Sequence, residues 1–461
     1  MNKIPFLLLA ACFSVASHAR KNEPAPLFGE EYRPRFHFTI ASNRLAAPVS
    51  MVKSDSTYHL FYQYNPTGLQ TDTLQWGHAS STDLLHWNFH EPVLVPVSGQ
   101  SGNTCDMPGW GTVVALDHTF SAFYNIPEEG IFKTGSNDEF LWWKKDKVKG
   151  ADILHSADPF VFWHEPTLNW VMLAYNHSDS TQNIFRSPDG LNWENTSTFN
   201  FRFTHPGLIE LPVDRKADDT RWFFFTSKGN CLLTRFDGSQ MELLTPLTKF
   251  DYGTHTGASL CFYDPDHSRH ILISELQSEQ MPDLPTNGMF TFPSELSLHE
   301  TPSGIEIRRK PIRELERLYE KKTIIENKKI YPGINNNLLS RLRGKTYHIK
   351  GVFDLLNCDQ VGFILRCDRE NNGTEINYHV PRKSFSAPGG RIDYEPKGNK
   401  MEFELLIDHS TLEIYLDGGN YFLSAAFTAA PENNRYLLYT IGGEVMVEYL
   451  EINELGSVWN Q

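Results

Sequence analysis

Past residue 30 the chain is a succession of short runs in which apolar and polar residues alternate, each closed by Gly, Pro, Asn or Asp. Tyr58-His59-Leu60-Phe61-Tyr62-Gln63-Tyr64, Trp170-Val171-Met172-Leu173-Ala174-Tyr175 and Trp222-Phe223-Phe224-Phe225-Thr226 are examples. A period of two puts successive side chains on opposite faces of an extended strand, and the intervening clusters supply turns. The 3.6-residue period of a helix is nearly absent; residues 312–321, with Leu315 and Leu318, are the one good candidate. Many short strands over residues 30–321 predict a closed or radial all-β architecture, and a propeller fits because its blades are four-stranded units.

Beyond residue 321 the texture changes. Residues 322–337 are polar and rich in basic side chains and read as a linker. From residue 338 strands are predicted again over 346–353, 360–367, 376–380, 401–407, 412–416 and 436–441, with Asp417-Gly418-Gly419 as a hairpin turn. About 120 such residues (338–461) predict a β-sandwich. A chain of 461 residues has room for two or three domains.

Lys3, an apolar run over residues 4–16 and Ser17-His18-Ala19 read as an export signal ending at residue 19. The run is too short to span a bilayer. A rival reading takes Leu9-Ala10-Ala11-Cys12 as a lipoprotein box, with lipid on Cys12 as the only membrane attachment. Both readings export the protein, to the periplasm, the cell surface or the medium. A net charge of −14 without a basic run argues against nucleic acid and anionic membrane surfaces. The six Cys form no C-x-x-C pair, and there is no metal motif or nucleotide-binding loop, so no cofactor is expected. Scattered buried thiols are expected, with one or two disulfides as the alternative.

Several segments then occur in a telling order. Arg35-Phe36-His37-Phe38-Thr39 comes first, then Tyr58 to Asn65-Pro66, Trp76-Gly77-His78-Ala79 and Asp83-Leu84-Leu85-His86-Trp87. Ala157-Asp158-Pro159, Asp251-Tyr252-Gly253, Thr291-Phe292-Pro293-Ser294-Glu295-Leu296 and Leu406-Ile407-Asp408-His409-Ser410-Thr411-Leu412-Glu413-Ile414-Tyr415 follow. In order and spacing they resemble glycoside hydrolase family 32, the fructan and sucrose hydrolases, from about residue 33 to 455. The resemblance implies a five-bladed β-propeller followed by a β-sandwich, and a carbohydrate partner.

A retaining glycosidase needs two carboxyl groups about 5 Å apart, one as nucleophile and one as acid/base. The family's Trp-x-Asn-Asp-Pro-Asn-Gly motif, counted back without gaps from Tyr58, sets Asn-Asp-Pro-Asn-Gly on Ala46-Ala47-Pro48-Val49-Ser50. The nucleophile position is Ala47. Asp55, the nearest acid, reads as a turn residue. The family's Glu-Cys-Pro-Asp-Leu falls on Thr204-His205-Pro206-Gly207-Leu208, so the acid/base position is Thr204, whose hydroxyl is too weak an acid for the task. His205 is adjacent, but on a strand it would face the other way. The third family carboxylate, a transition-state stabiliser, is present as Asp158, while its Arg neighbour is Ala157, which removes a bidentate hydroxyl clamp.

The family's Phe-Ser-Gly-Ser loop corresponds to Gly109-Trp110-Gly111-Thr112. Gly-Trp-Met corresponds to Ser274-Glu275-Leu276, where Glu275 brings a new carboxylate. Gln63, Asn65, Trp76, Trp110, Thr112, Asp158 and Glu275 are the expected sugar-binding residues. Three functions remain open: a carbohydrate-binding homologue without standard hydrolysis, a glycosidase rewired around Asp158 with Glu275 or His205, and a structural or assembly protein.

Overall fold

Alternation becomes strand wherever one face can be buried, and five such groups of strands fill the first two-thirds of the chain. The computed structural model describes residues 28–71, 73–95, 97–98, 105–106, 108–116, 119–136, 142–150, 153–201, 203–333 and 337–459. The export signal and Cys12 lie outside these residues. Blade I is Asn43–Ser54, Thr57–Asn65, Gln75–Ser81 and Asn88–Leu94; blade II is Gly111–Leu116, Thr119–Ile126, Gly130–Ser136 and Trp142–Lys147. Blade III is Ser156–His164, Asn169–Asn176, Thr181–Ser187 and Asn192–Phe199; blade IV is Gly207–Val213, Lys216–Thr226, Asn230–Phe236 and Met241–Leu243. Blade V is Thr256–Asp264, Arg269–Leu276, Ser294–Thr301 and Gly304–Pro311, bridged to blade IV by the pair Val213–Leu298. This is the expected five-bladed propeller.

Each blade is a contiguous stretch of chain, so the ring must close through side chains and one borrowed strand. Asp264 of blade V is fully buried and takes Lys53 Nζ at 2.9 Å and the Tyr58 hydroxyl at 2.7 Å, both from blade I. Thr286–Asn287, from the blade V loop, pairs in parallel with the start of the innermost blade I strand at Asn43 and Arg44. Gly288 (φ +86°) makes that approach feasible, since a Cβ there would meet the Leu45 carbonyl at 2.2 Å.

The second domain is the expected sandwich. A six-stranded sheet (Tyr319–Ile330, Val445–Leu455, Tyr347–Asp354, Lys400–Ile407, Thr411–Leu416 and Tyr421–Ala426) faces a five-stranded one (Gly390–Asp393, Ser384–Ala387, Thr374–His379, Gln360–Cys367 and Arg435–Ile441). Ile349, Phe363, Leu405 and Leu438 lie in the core between them. Cys231, Cys261, Cys358 and Cys367 are free, buried thiols.

Two expectations need correction. The linker over 322–337 is largely the edge strand Tyr319–Ile330, paired with Val445–Leu455 from Tyr319 to Ile330. It reads as a linker because its exposed positions carry lysines, a common device for blunting a sheet edge. The helical candidate is a short 3-10 turn, Arg313–Leu318, before that strand begins. The Asp417-Gly418-Gly419 turn does join two strands, Thr411–Leu416 and Tyr421–Ala426.

The domains meet across a buried polar seam. His37, fully buried, places Nδ1 2.8 Å from Asp408 and Nε2 3.3 Å from Glu413, both in the sandwich. Asp408 also accepts the Arg35 and Phe36 backbone N–H groups, and Glu413 those of Phe292 and the Tyr415 hydroxyl. Asp251 accepts the N–H and hydroxyl of Ser424, while the Arg309 guanidinium lies 3.7 Å over the Phe422 ring. Burial alone would push the His37 imidazole down, but its bonds to Asp408 and Glu413 outweigh this and hold its pKa up at about 9.

Replacing one member of such a set strands the others unpaired in the interior, at a cost of about 3–5 kcal/mol. His37→Gln is therefore expected to lower the calorimetric melting temperature by several degrees. The pH dependence has a definite sign. The folded-state pKa of His37 lies above its ordinary value of 6.5, so its stabilisation is complete below about pH 6.5 and is lost as pH rises to about 9. Melting temperature should fall across that window in the wild type and be flatter in His37→Gln.

Candidate active site

The five innermost strands begin at one end of the propeller axis, so the residues at their starts surround a single mouth. Blade I contributes Arg44 and Ala47, blade II Trp110, blade III Asp158, the approach to blade IV Thr204 and His205, and blade V Gly257 with Glu275. A large cavity of about 1440 Å³ opens at the other end of the axis, where Lys53, Trp163, Glu210 and Tyr263 line it. Asp158, His205 and Glu275 are not among its lining residues. Size alone would therefore point away from the converging carboxylates.

Ala47 is buried in an apolar cluster with Val49, Trp76, Trp110 and Ala258. Trp110 spans the mouth from blade II and donates its indole N–H to the Pro48 carbonyl at 3.0 Å. With only 3% of its surface exposed, it covers this region as part of the core. Thr204 keeps its hydroxyl within 3.1 Å of Ser227 Oγ.

Asp158 is half-buried at a register break in its strand, with φ +54°, a conformation that costs a non-glycine residue about 1–3 kcal/mol. It is held from both sides. Its N–H donates to Asn125 Oδ1, and its Oδ2 accepts the His205 backbone N–H at 3.0 Å. His205 also has a positive φ of +54° and precedes the strand Gly207–Val213. Strand alternation therefore does not govern it. Contrary to the sequence expectation, its ring turns toward the mouth, with Nδ1 3.8 Å from Asp158 Oδ2 and its ring edge-on to Trp110 at 5.3 Å. That Nδ1 is buried and has no hydrogen-bond partner among the described residues.

Glu275 lies across the mouth on blade V. Its Oε1 is 3.5 Å from Arg44 Nη2, and its Oε2 accepts the Ala258 N–H at 3.4 Å. Among the described residues no hydrogen bond or ion pair joins Glu275 to Asp158.

Three expected sugar-binding residues have other duties. Asn65 accepts from the Thr67 and Gly68 N–H groups and donates to the Gln70 carbonyl, so its amide builds the 65–70 loop. Trp76 is wholly buried and donates to the Gly109 carbonyl at 2.8 Å, tying blade I to blade II. Thr112 donates to the Pro159 carbonyl and accepts the Val161 N–H, tying blade II to blade III. Gln63 is buried beside Trp76, with a 3.5 Å contact to the Pro108 carbonyl. Arg44 and Asn125 were missed. Arg44 was within reach, because the motif count that ends at Ala47 passes through it.

Comparison with known proteins gives this geometry its context. Residues 37–311 match the family model for the glycosyl hydrolases family 32 N-terminal domain, and residues 314–454 that for the glycosyl hydrolases family 32 C terminal. A levanase from Bacillus subtilis (strain 168) is 26% identical over 98% of this chain and 74% of its own length. A levanase from Bacillus sp. (strain L7) is 25% identical over 95% of this chain, which spans only 53% of that relative. The crystal structure of exo-inulinase from Aspergillus awamori superposes with a TM-score of 0.82 at 19% identity, covering 94% of this chain and all of the other. With a propeller and a sandwich each matched by its own model, in the family's order, the chain belongs to glycosyl hydrolase family 32.

Proposed function

We propose that this protein is an exported, carbohydrate-binding member of the family that does not perform standard retaining hydrolysis. The observation that carries the reading is the chemistry at two positions. Retaining cleavage needs a nucleophilic carboxylate and a carboxylic acid/base about 5–5.5 Å apart. Counting the family motifs along this sequence gives those places to Ala47, a methyl group in an apolar cluster, and Thr204, a hydroxyl beside Ser227. Removing a single member of a catalytic unit costs roughly 10⁴–10⁶ in kcat, and here both are absent. Asp158 accepts the His205 N–H and Glu275 contacts Arg44 and the Ala258 N–H, and among the described residues no hydrogen bond or ion pair joins the two carboxylates as a pair. The levanase and exo-inulinase relatives favour a fructan or fructo-oligosaccharide as ligand, with other glycans as alternatives. Export rests on the N-terminal sequence.

One observation favours a second reading. The unpartnered Nδ1 of His205 lies 3.8 Å from Asp158, an arrangement from which a rewired glycosidase could draw a proton carrier. An assembly role would suit an apolar, closed funnel, whereas this mouth carries Arg44, Asp158, His205 and Glu275.

Calorimetry with inulin, levan and sucrose, paired with reducing-sugar assays on the same samples, separates these readings. Binding heat without sugar release is expected. Release that Asp158→Asn abolishes would establish the rewired enzyme instead, and silence in both assays across a broad glycan panel would overturn the binding reading.

A further inference from the structure

The family motifs place a Trp at two positions where this chain has opposite charges. Counting Trp-x-Asn-Asp-Pro-Asn-Gly onto residues 44–50 puts Arg44 at the Trp, and Gly-Trp-Met on residues 274–276 puts Glu275 at the other. The fold brings these two replaced positions together across blades I and V, with Arg44 Nη2 3.5 Å from Glu275 Oε1. A Cβ at position 257 would meet Glu275 Oε2 at 2.1 Å, so Gly257 makes room for the carboxylate. Arg44 is fixed by its N–H to the Gly68 carbonyl and by pairing with Asn287.

The pair is incompletely satisfied. Arg44 Nε is buried and has no hydrogen-bond acceptor among the described residues, and both contacts to the Glu275 carboxylate are long, at 3.4 and 3.5 Å. A free guanidinium N–H beside a carboxylate with spare lone pairs matches two neighbouring hydroxyls, one accepting from Nε and one donating to Oε1. An anionic group would satisfy Arg44 but face Glu275 and Asp158. A cation would meet the reverse problem, and a neutral diol satisfies both.

We propose that Arg44 and Glu275 form a hydroxyl clamp that takes over the task of the clamp lost at Ala157, and that it holds a neutral glycan on the blade I–blade V side of the mouth. This rests on the carbohydrate-binding reading.

The test uses the full chain, the charge-conserving variant Arg44→Lys and the isosteric Glu275→Gln, with melting temperatures to verify folding. Each is titrated with inulin, levan, sucrose, a panel of neutral pyranosyl oligosaccharides and, as an anionic arm, polygalacturonate. The clamp predicts that each variant binds the wild type's neutral glycan about tenfold to a hundredfold more weakly. It also predicts that Arg44→Lys/Glu275→Gln is hardly weaker than either single change, because the two act as one unit. Folded variants that bind like the wild type would overturn the clamp and leave the carbohydrate-binding reading standing. So would a wild type that takes polygalacturonate but no neutral glycan. A wild type that binds no glycan would overturn both. Should Arg44→Lys fail to fold, Glu275→Gln alone decides.

Discussion

The fold turns on one buried imidazole. His37 enters the sandwich from the propeller's leading segment and sits between Asp408 and Glu413, so three groups that would each be costly to bury alone satisfy one another. The same two carboxylates also hold the backbone of Arg35, Phe36 and Phe292. They therefore anchor both the chain entering blade I and a segment of blade V. In a ring whose blades are each contiguous in sequence, that double anchorage, together with Asp264 and the borrowed strand Thr286–Asn287, closes the propeller. Several of the segments that carry the family resemblance lie along this seam rather than at the mouth. Asp251, Phe292, Asp408 and Glu413 are examples. The architecture can thus persist while the chemistry at the other end of the innermost strands changes.

At the mouth, Ala47 lies in an apolar cluster with Trp110, and Thr204 bonds locally to Ser227. The polar groups there are Asp158 with His205 on one side and Arg44 with Glu275 on the other. Asp158 and His205 both hold left-handed backbone conformations, stabilised by the hydrogen bond between them. Strain of this sort persists only where surrounding structure over-determines it, and here it aims both side chains at the axis. The loop from blade V that closes the ring also fixes Arg44, so ring closure and ligand geometry share a support.

Much of this was legible in the sequence, and the failures have physical causes. Strands with alternating apolar and polar residues are legible even where both faces are covered: the expected 360–367 matches to the residue, and 412–416 to within one. The edge strand Tyr319–Ile330 is not, because an edge needs few buried side chains and many charges. The structural ties made by Asn65, Trp76 and Thr112 were not legible for a different reason. An amide, an indole and a hydroxyl suit a ligand and a loop or inter-blade tie equally well, and composition does not distinguish them. His205 escapes strand alternation because it precedes its strand and has a positive φ. Arg44 escaped notice because its meaning lies in its contact with Glu275, 231 residues away in sequence, and only the fold makes them neighbours.

We propose that this chain keeps the family's architecture without its retaining machinery. A retaining mechanism must pass through a covalent glycosyl–enzyme intermediate. Intact-protein mass spectrometry after rapid acid quenching, with the protein held at saturating concentrations of an activated aryl fructofuranoside, reads that intermediate directly. The account predicts an unchanged protein mass at every time point. A one-hexose increment that maps to a carboxylate at the mouth, Asp158 or Glu275, would contradict it.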